Sequence, residues 1–185
     1  MGITASYRRI TPDNFAEVQS NPEIAKNFFW FDLDDIDFSD LEAMSARFEE
    51  QKAKQGYFSI EKEWHALHFL LTGESGSQGD TNPLPHSNVV FGGTPTQFKS
   101  GLGFIRYLNP QEVKEVAELL STISVEELSR RFDADAFNNA MIYPLAPDDW
   151  DEEEIEPLLE IYYPQLVDFF QDAAKSGDIV LLSSD

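Results

Sequence analysis

A chain of 185 residues is read as one domain with a sizeable core, since a domain of about 150 residues hides roughly 70% of the surface its unfolded chain exposes. Apolar residues make up 42%, aromatics 13% and charged residues 25%, which excludes collagen-like, coiled-coil and mostly disordered chains. With 34 acidic against 13 basic residues the net charge is -21, a field that repels nucleic-acid phosphates, and the absence of cysteine excludes disulfides, thiolate catalysis and thiolate metal sites.

The opening residues match the short N-myristoylation pattern at Met1, Gly2 and Ser6. Alternation of Ile3, Ala5 and Tyr7 is the stronger reading and predicts a first strand to about Ile10. Thr11 and Pro12 then form an N-cap and first helical position, with Phe15 and Val18 as the apolar side. Ser39 and Glu42 read as a capping box before Leu41, Met44 and Phe48, a helix to about Gln55. The clearest amphipathic stripe follows, Ile60, Trp64, Leu67, His68 and Leu71. Residues 73–87 lose periodicity and collect glycine and proline, which predicts a long surface loop.

Asn88 to Phe91 and Leu102 to Tyr107 read as strands bounded by glycines. Asn109, Pro110 and Glu112 cap a helix carrying Val113, Val116, Ala117 and Leu120; Ser124 with Glu127 caps the next, and Asp133 starts a short third to Ala140. Met141 to Tyr143 is a short strand or connector. A long helical region from about Asp151 to Ser176 should be kinked or divided by Pro164 and stopped by Gly177. Ile179 to Leu182 closes the chain as a buried strand. Irregular interleaving of helices and strands predicts an α+β fold over residues 1–185, a single domain with a small mixed sheet flanked by helices in layers.

Acidity is concentrated. One cluster is Asp32, Asp34, Asp35, Asp37 and Asp40 among Phe31, Ile36 and Phe38; the other runs from Asp148 to Glu156. From Asp151 onward ten acidic residues face a single cation, Lys175. Such clusters serve as solvated helix ends, where carboxylates suit the helix dipole, or as a docking surface for a basic protein. For the docking reading the candidate contacts are Asp148, Asp149, Glu152, Glu153 and Glu154.

Known chemical motifs fail on inspection. A calcium loop starting at Asp32 would put Asp37 where glycine is needed and Ala43 where glutamate is needed. Gly73 is followed by no phosphate-cradling glycine and lysine, and Gly73, Glu74 and Ser75 begin a nucleophile elbow that Ser77 leaves unfinished. His65 and His68 stand three apart on the predicted helix, yet the glutamate of a zinc-protease helix is missing. The expectation is therefore no metal and no cofactor. His68 lies within the apolar stripe, which predicts a buried, neutral ring. The sharper reading makes Trp64 and His68 line a pocket, with Arg106 as anion clamp and Tyr107 as phenolic donor.

The stretch Glu61 to Gly73, with Trp64, Leu67, His68, Phe69, Leu71, Thr72 and Gly73, resembles the Trp-x-x-Leu-His-Phe-x-Leu-Thr-Gly segment of the YfbM-like family, small bacterial proteins with a domain of unknown function. The resemblance continues in Met1-Gly2, in Asn82-Pro83-Leu84, in the Gly-Phe strand from Gly103, in Met141-Ile142-Tyr143-Pro144, and in the last helix with Gly177. His65 stands where a family relative carries an acidic residue, and the acidic, Phe-rich segment 28–40 is particular to this chain. The family implies a layered α+β domain in bacterial cytoplasm and supplies no activity. Two functional expectations stand: a non-catalytic acidic protein that captures a basic partner, as an inhibitor or immunity-type protein would, and a small-ligand or hydrolase-like pocket around Trp64, His68, Arg106 and Tyr107. Neither involves nucleic acid or a membrane.

Overall fold

The computed structural model describes residues 2–29, 46, 56–76, 84–144 and 149–184. The expected capping box at Ser39 and Glu42 with its helix, the cluster from Asp32 to Asp40, residues 77–83 of the glycine-rich loop with the Asn82-Pro83 pair, and Asp148 lie outside these residues. In chain order the elements are β1 (Ala5–Ile10), α1 (Pro12–Ser20), α2 (Pro22–Phe29), β2 (Tyr57–Glu61), α3 (Trp64–Thr72), a 3-10 turn (His86–Val89), β3 (Thr94–Ser100) and β4 (Gly103–Leu108). Then come α4 (Pro110–Thr122), α5 (Val125–Arg130), α6 (Ala134–Asn139), α7 (Glu152–Pro157), a π turn (Leu158–Tyr162), α8 (Tyr163–Ser176) and β5 (Ile179–Ser184).

The five strands form one sheet in the order β2-β1-β5-β4-β3. Alternation along each strand sends side chains to two separate cores. Ala5 and Tyr7 of β1 and Val180 and Leu182 of β5 face the larger core, which α3, α4, α7 and α8 complete. Ile10, Ile105, Ile179 and Leu181 face a smaller one, covered by Phe15 and Val18 of α1 and Ala25 of α2. Helices thus flank both faces of the sheet, the layered α+β arrangement expected from the sequence.

Among the described residues every strand pair is antiparallel, in place of the mixed sheet expected. A parallel pair needs a single crossover, usually one helix, whereas β3 and β4 form a hairpin and β4 reaches β5 only after the whole excursion of α4 to α8. Two further corrections concern local structure. Ile60 belongs to β2 and not to the helix: Glu61 takes a positive φ of 49° and the helix begins only at Trp64, so a fully buried strand residue happens to fall four places before the stripe. Asn88 is in a 3-10 turn, and the strand that pairs with β4 is Thr94–Ser100, where Thr96 and Phe98 alternate inward. Its Pro95 is tolerated because β3 is an edge strand.

The capping signals hold in detail. Thr11, Asn109, Ser124, Asp133 and Asp151 each accept from backbone N–H groups of the helix they open, and Asn109 with Glu112 completes a capping box. Pro164 is accommodated by the π turn just before it, so the division falls at Leu158–Tyr162. Buried Tyr163 donates its hydroxyl to the carbonyls of Ile123 at 2.9 Å and Leu120 at 3.3 Å, which satisfies the end of α4. Among the described residues no helix is long and apolar enough to cross a membrane.

At the end of α6, Met141 N–H bonds to Asn138 O and Ile142 N–H to Phe137 O, a Schellman ending that puts Met141 at φ 54°. Glycine is the residue that suits this position, and the Met141 side chain is 69% exposed. Met141→Gly should stabilise the fold by up to about 1 kcal/mol in urea denaturation. A loss of stability would mean that the exposed side chain makes a compensating contact.

Candidate functional site

Helix α3 carries the densest chemistry. Ala66, Leu67, Leu70 and Leu71 bury its core face, and Gly73 in the left-handed region (φ 75°) ends it with an N–H bond to Phe69 O. His68 is fully buried and meets Phe91 edge-on at 4.6 Å. Thr72 donates its hydroxyl to His68 O at 2.8 Å, its oxygen lies 3.4 Å from Nε2, and Nδ1 has no partner. Burial holds the imidazole down to about 4, with the Gly76 backbone carbonyl, an acceptor for the protonated ring, opposing the shift and His65 adding to it. A ring sealed in this way is neutral at pH 7 and closed to bulk solvent.

His65 bridges two segments. Its Nδ1 accepts the Tyr143 N–H at 3.0 Å, so the neutral ring carries its proton on Nε2, which donates to Ser75 O at 2.7 Å. Burial lowers its proton affinity below the ordinary imidazole value, against the favourable Ser75 carbonyl.

Trp64 stacks on both His65 and Tyr143, at centroid separations of 5.0 and 5.4 Å, and meets Phe91 edge-on at 5.5 Å. The indole Nε1 donates to Ile3 O at 3.0 Å, while the Ile3 N–H donates to the Tyr143 hydroxyl at 2.7 Å. Both peptide groups of Ile3 are therefore held by side chains. Gly2 fits this corner because a Cβ there would collide with the Tyr143 hydroxyl and come within 2.8 Å of Lys62 Cε. Three stretches that carry the family resemblance thus meet at one place, through Gly2, Trp64 and Tyr143.

The proposed pocket residues do not all meet there. Trp64 and His68 share Phe91. Arg106 touches the same loop, but its Nε and Nη2 donate to the carbonyls of Gly92 and Gly93, bracing the chain behind Phe91. Tyr107 lies in the smaller core, its ring 4.8 Å from that of Phe15, on the opposite face of the sheet. Among the described residues no group of three histidine, aspartate or glutamate side chains could hold a metal ion.

One group escaped the sequence reading. Glu63, half-buried just before α3, has its Oε2 buried without a partner, and burial together with nearby Glu154 raises its carboxyl to about 7. Tyr162 is raised by burial and by Glu61 and Glu63. The turn after β2 and the start of α7 therefore form one acidic face. On α7, Glu152, Glu153, Glu154 and Glu156 are exposed, as are Asp149 and Asp151 before it, and none pairs with lysine or arginine among the described residues.

His68 and Glu63 pull stability in opposite directions with pH. The lowered His68 contributes stability that is complete above its ordinary value of 6.5 and is lost as pH falls towards 4. The raised Glu63 contributes stability that is complete below its ordinary 4.5 and is lost as pH rises through about 7. Between pH 4.5 and 6.5 these two contributions oppose each other. Glu63→Gln, permanently neutral, should be steadier than wild type at pH 8 and lose stability more steeply on acidification, measured as urea midpoints. A profile identical to wild type would show Glu63 to be ordinarily ionised.

The whole arrangement has relatives. The family model described as "Domain of unknown function (DUF1877)" matches residues 1–183. Among solved structures the chain is similar to YfbM from Escherichia coli, a protein of unknown function, with a TM-score of 0.61 and 21% identity over 97% of this chain and 98% of that one. No curated protein matches. With a family model spanning residues 1–183 and a shared fold, the chain belongs to the DUF1877 family of domains of unknown function.

Proposed function

We propose that this protein is a non-catalytic binding protein of the bacterial cytoplasm whose acidic surface captures a basic protein partner, in the manner of an inhibitor or immunity-type protein. The observation that carries this reading is the unpaired carboxylate face. Glu152, Glu153, Glu154 and Glu156 of α7, with Asp149 beside them, stand exposed with no lysine or arginine partner among the described residues. Asp151 is different, because its carboxylate caps α7 through the N–H groups of Glu153 and Glu154. Carboxylates in a helix's first turn also suit its dipole, but one cap and one dipole account for only part of this charge. Opposite charge on a partner would be steered towards the remainder.

Burial of His68 supports this reading over the pocket. A general base or ligand contact must reach a reacting atom, and His68 has no exposed surface while Arg106 is committed to two carbonyls. Tyr107, on the other face of the sheet, adds nothing to Trp64 and His68.

The test begins with a partner captured on the immobilised protein and its association rate measured across ionic strength. Replacing Glu152, Glu153 and Glu154 with glutamine should lower that rate severalfold at low salt, an order-of-magnitude expectation for steered encounters, and flatten its salt dependence. An unchanged rate, with binding lost on His68→Ala in a folded protein, would overturn the reading and move the function to the pocket.

A further inference from the structure

We infer that His65 is a pH-sensitive latch on the N-terminal segment: its neutral ring holds Tyr143 in place through the Tyr143 N–H, Tyr143 in turn holds Ile3, and protonation of Nδ1 opens the chain of bonds. The inference rests on the pattern of donors and acceptors. A neutral imidazole has one donor and one acceptor, and here both are engaged, Nε2–H with Ser75 O at 2.7 Å and Nδ1 with Tyr143 N–H at 3.0 Å. Only one tautomer satisfies both. An imidazolium carries a proton on each nitrogen, so it would set an N–H against the Tyr143 N–H and remove that amide's acceptor.

The consequence travels through packed groups. Tyr143 is stacked on Trp64, and its hydroxyl accepts the Ile3 N–H at 2.7 Å. Displacing Tyr143 withdraws that acceptor and the wall against which Gly2 is seated. Ile3 would then hang from the Trp64 indole alone. The segment freed is the entry to β1, one of the three interior strands of the sheet.

The charged and titratable groups around the ring come from each element packed on it. His68 lies one turn along α3 and is coupled to it, and Glu61, Lys62 and Glu63 precede it on the same stretch. Glu74 and the Ser75 carbonyl lie on the segment after α3, Tyr143 on the turn after α6, and Lys62 also reaches Gly2. Burial lowers the ring's proton affinity, so the latch is closed at pH 7 and opens below the ordinary imidazole value. His68, held down to about 4, stays neutral over that interval, whereas Glu63, raised to about 7, gains its proton there.

The experiment compares wild type with His65→Gln, whose side-chain carbonyl can accept from Tyr143 and whose amide can donate to Ser75 without titrating. Hydrogen exchange of the Ile3 and Tyr143 amides, corrected for intrinsic rates, is followed from pH 7 to pH 5. Wild type should lose about tenfold protection at both, while Leu181 in β5 keeps its own and His65→Gln stays flat. Protection that is independent of pH in wild type, or lost equally in the variant, overturns the latch; the second result would assign the effect to Glu63. Should the variant fail to fold, the ring's own nitrogen spectrum decides in wild type. An Nε2–H tautomer at pH 7 that gains an Nδ1 proton as Ile3 protection falls supports the latch, and an Nδ1–H tautomer contradicts it.

Discussion

Much of this structure depends on how Trp64 and Tyr143 hold the two peptide groups of Ile3. An amide at the entrance to a strand has no ladder partner of its own, and a buried one left unpaired is costly. Here an indole and a phenol supply the missing partners, so the start of β1 is fixed by side chains from α3 and from the turn after α6. Tyr7, further along the strand, can then sit at the centre of the larger core, with its ring against Phe58, Phe169 and Phe170 and its hydroxyl on Val89 O at 2.8 Å. The turn after α6 is anchored from the other side as well, since Trp150 Nε1 donates to Ile142 O at 2.7 Å and Asn138 bonds both peptide groups of Trp150. Residues distant in sequence are thereby fastened around α3.

That fastening places neutral and acidic chemistry side by side. Inside, His65 and His68 are held neutral by burial and Arg106 is tied to backbone. Outside, the turn after β2 brings Glu61 and Glu63 towards Glu154 and Tyr162. Burial, with Glu154 adding to it, raises the Glu63 carboxyl to about 7, whereas the acids of α7 are exposed and without a lysine or arginine partner among the described residues. A protein built in this way has His65, His68 and Arg106 engaged inside and its carboxylates of α7 exposed outside.

The sequence made some of this legible for reasons that are local. Asn109, Ser124 and Asp133 mark helix starts because a cap is a contact within one turn, and Gly177 marks an end because its φ of 70° favours glycine. Burial of His68 follows from its place in the stripe. Placement of Arg106 and Tyr107 on opposite faces was legible too, since adjacent residues of a strand point apart, and grouping them in one pocket overlooked that alternation. What could not be read was long-range: β2 and β3 have modest patterns of their own and become strands by pairing with β1 and β4. The hold on Ile3 joins three distant segments, and Glu63 gains its character from burial in the fold, with Glu154 adding to it. Repeated family residues marked the right positions without revealing that they meet.

Whether Trp64 and Tyr143 act as one device on Ile3 can be measured by a double-mutant cycle of Trp64→Phe and Tyr143→Phe, each of which keeps an aromatic ring and removes one hydrogen-bonding group. If they hold the two peptide groups of Ile3 together as described, the two losses in unfolding free energy should be coupled by about 1 kcal/mol. Losses that add to within about 0.3 kcal/mol would contradict the account, because independent sites are what additivity reports.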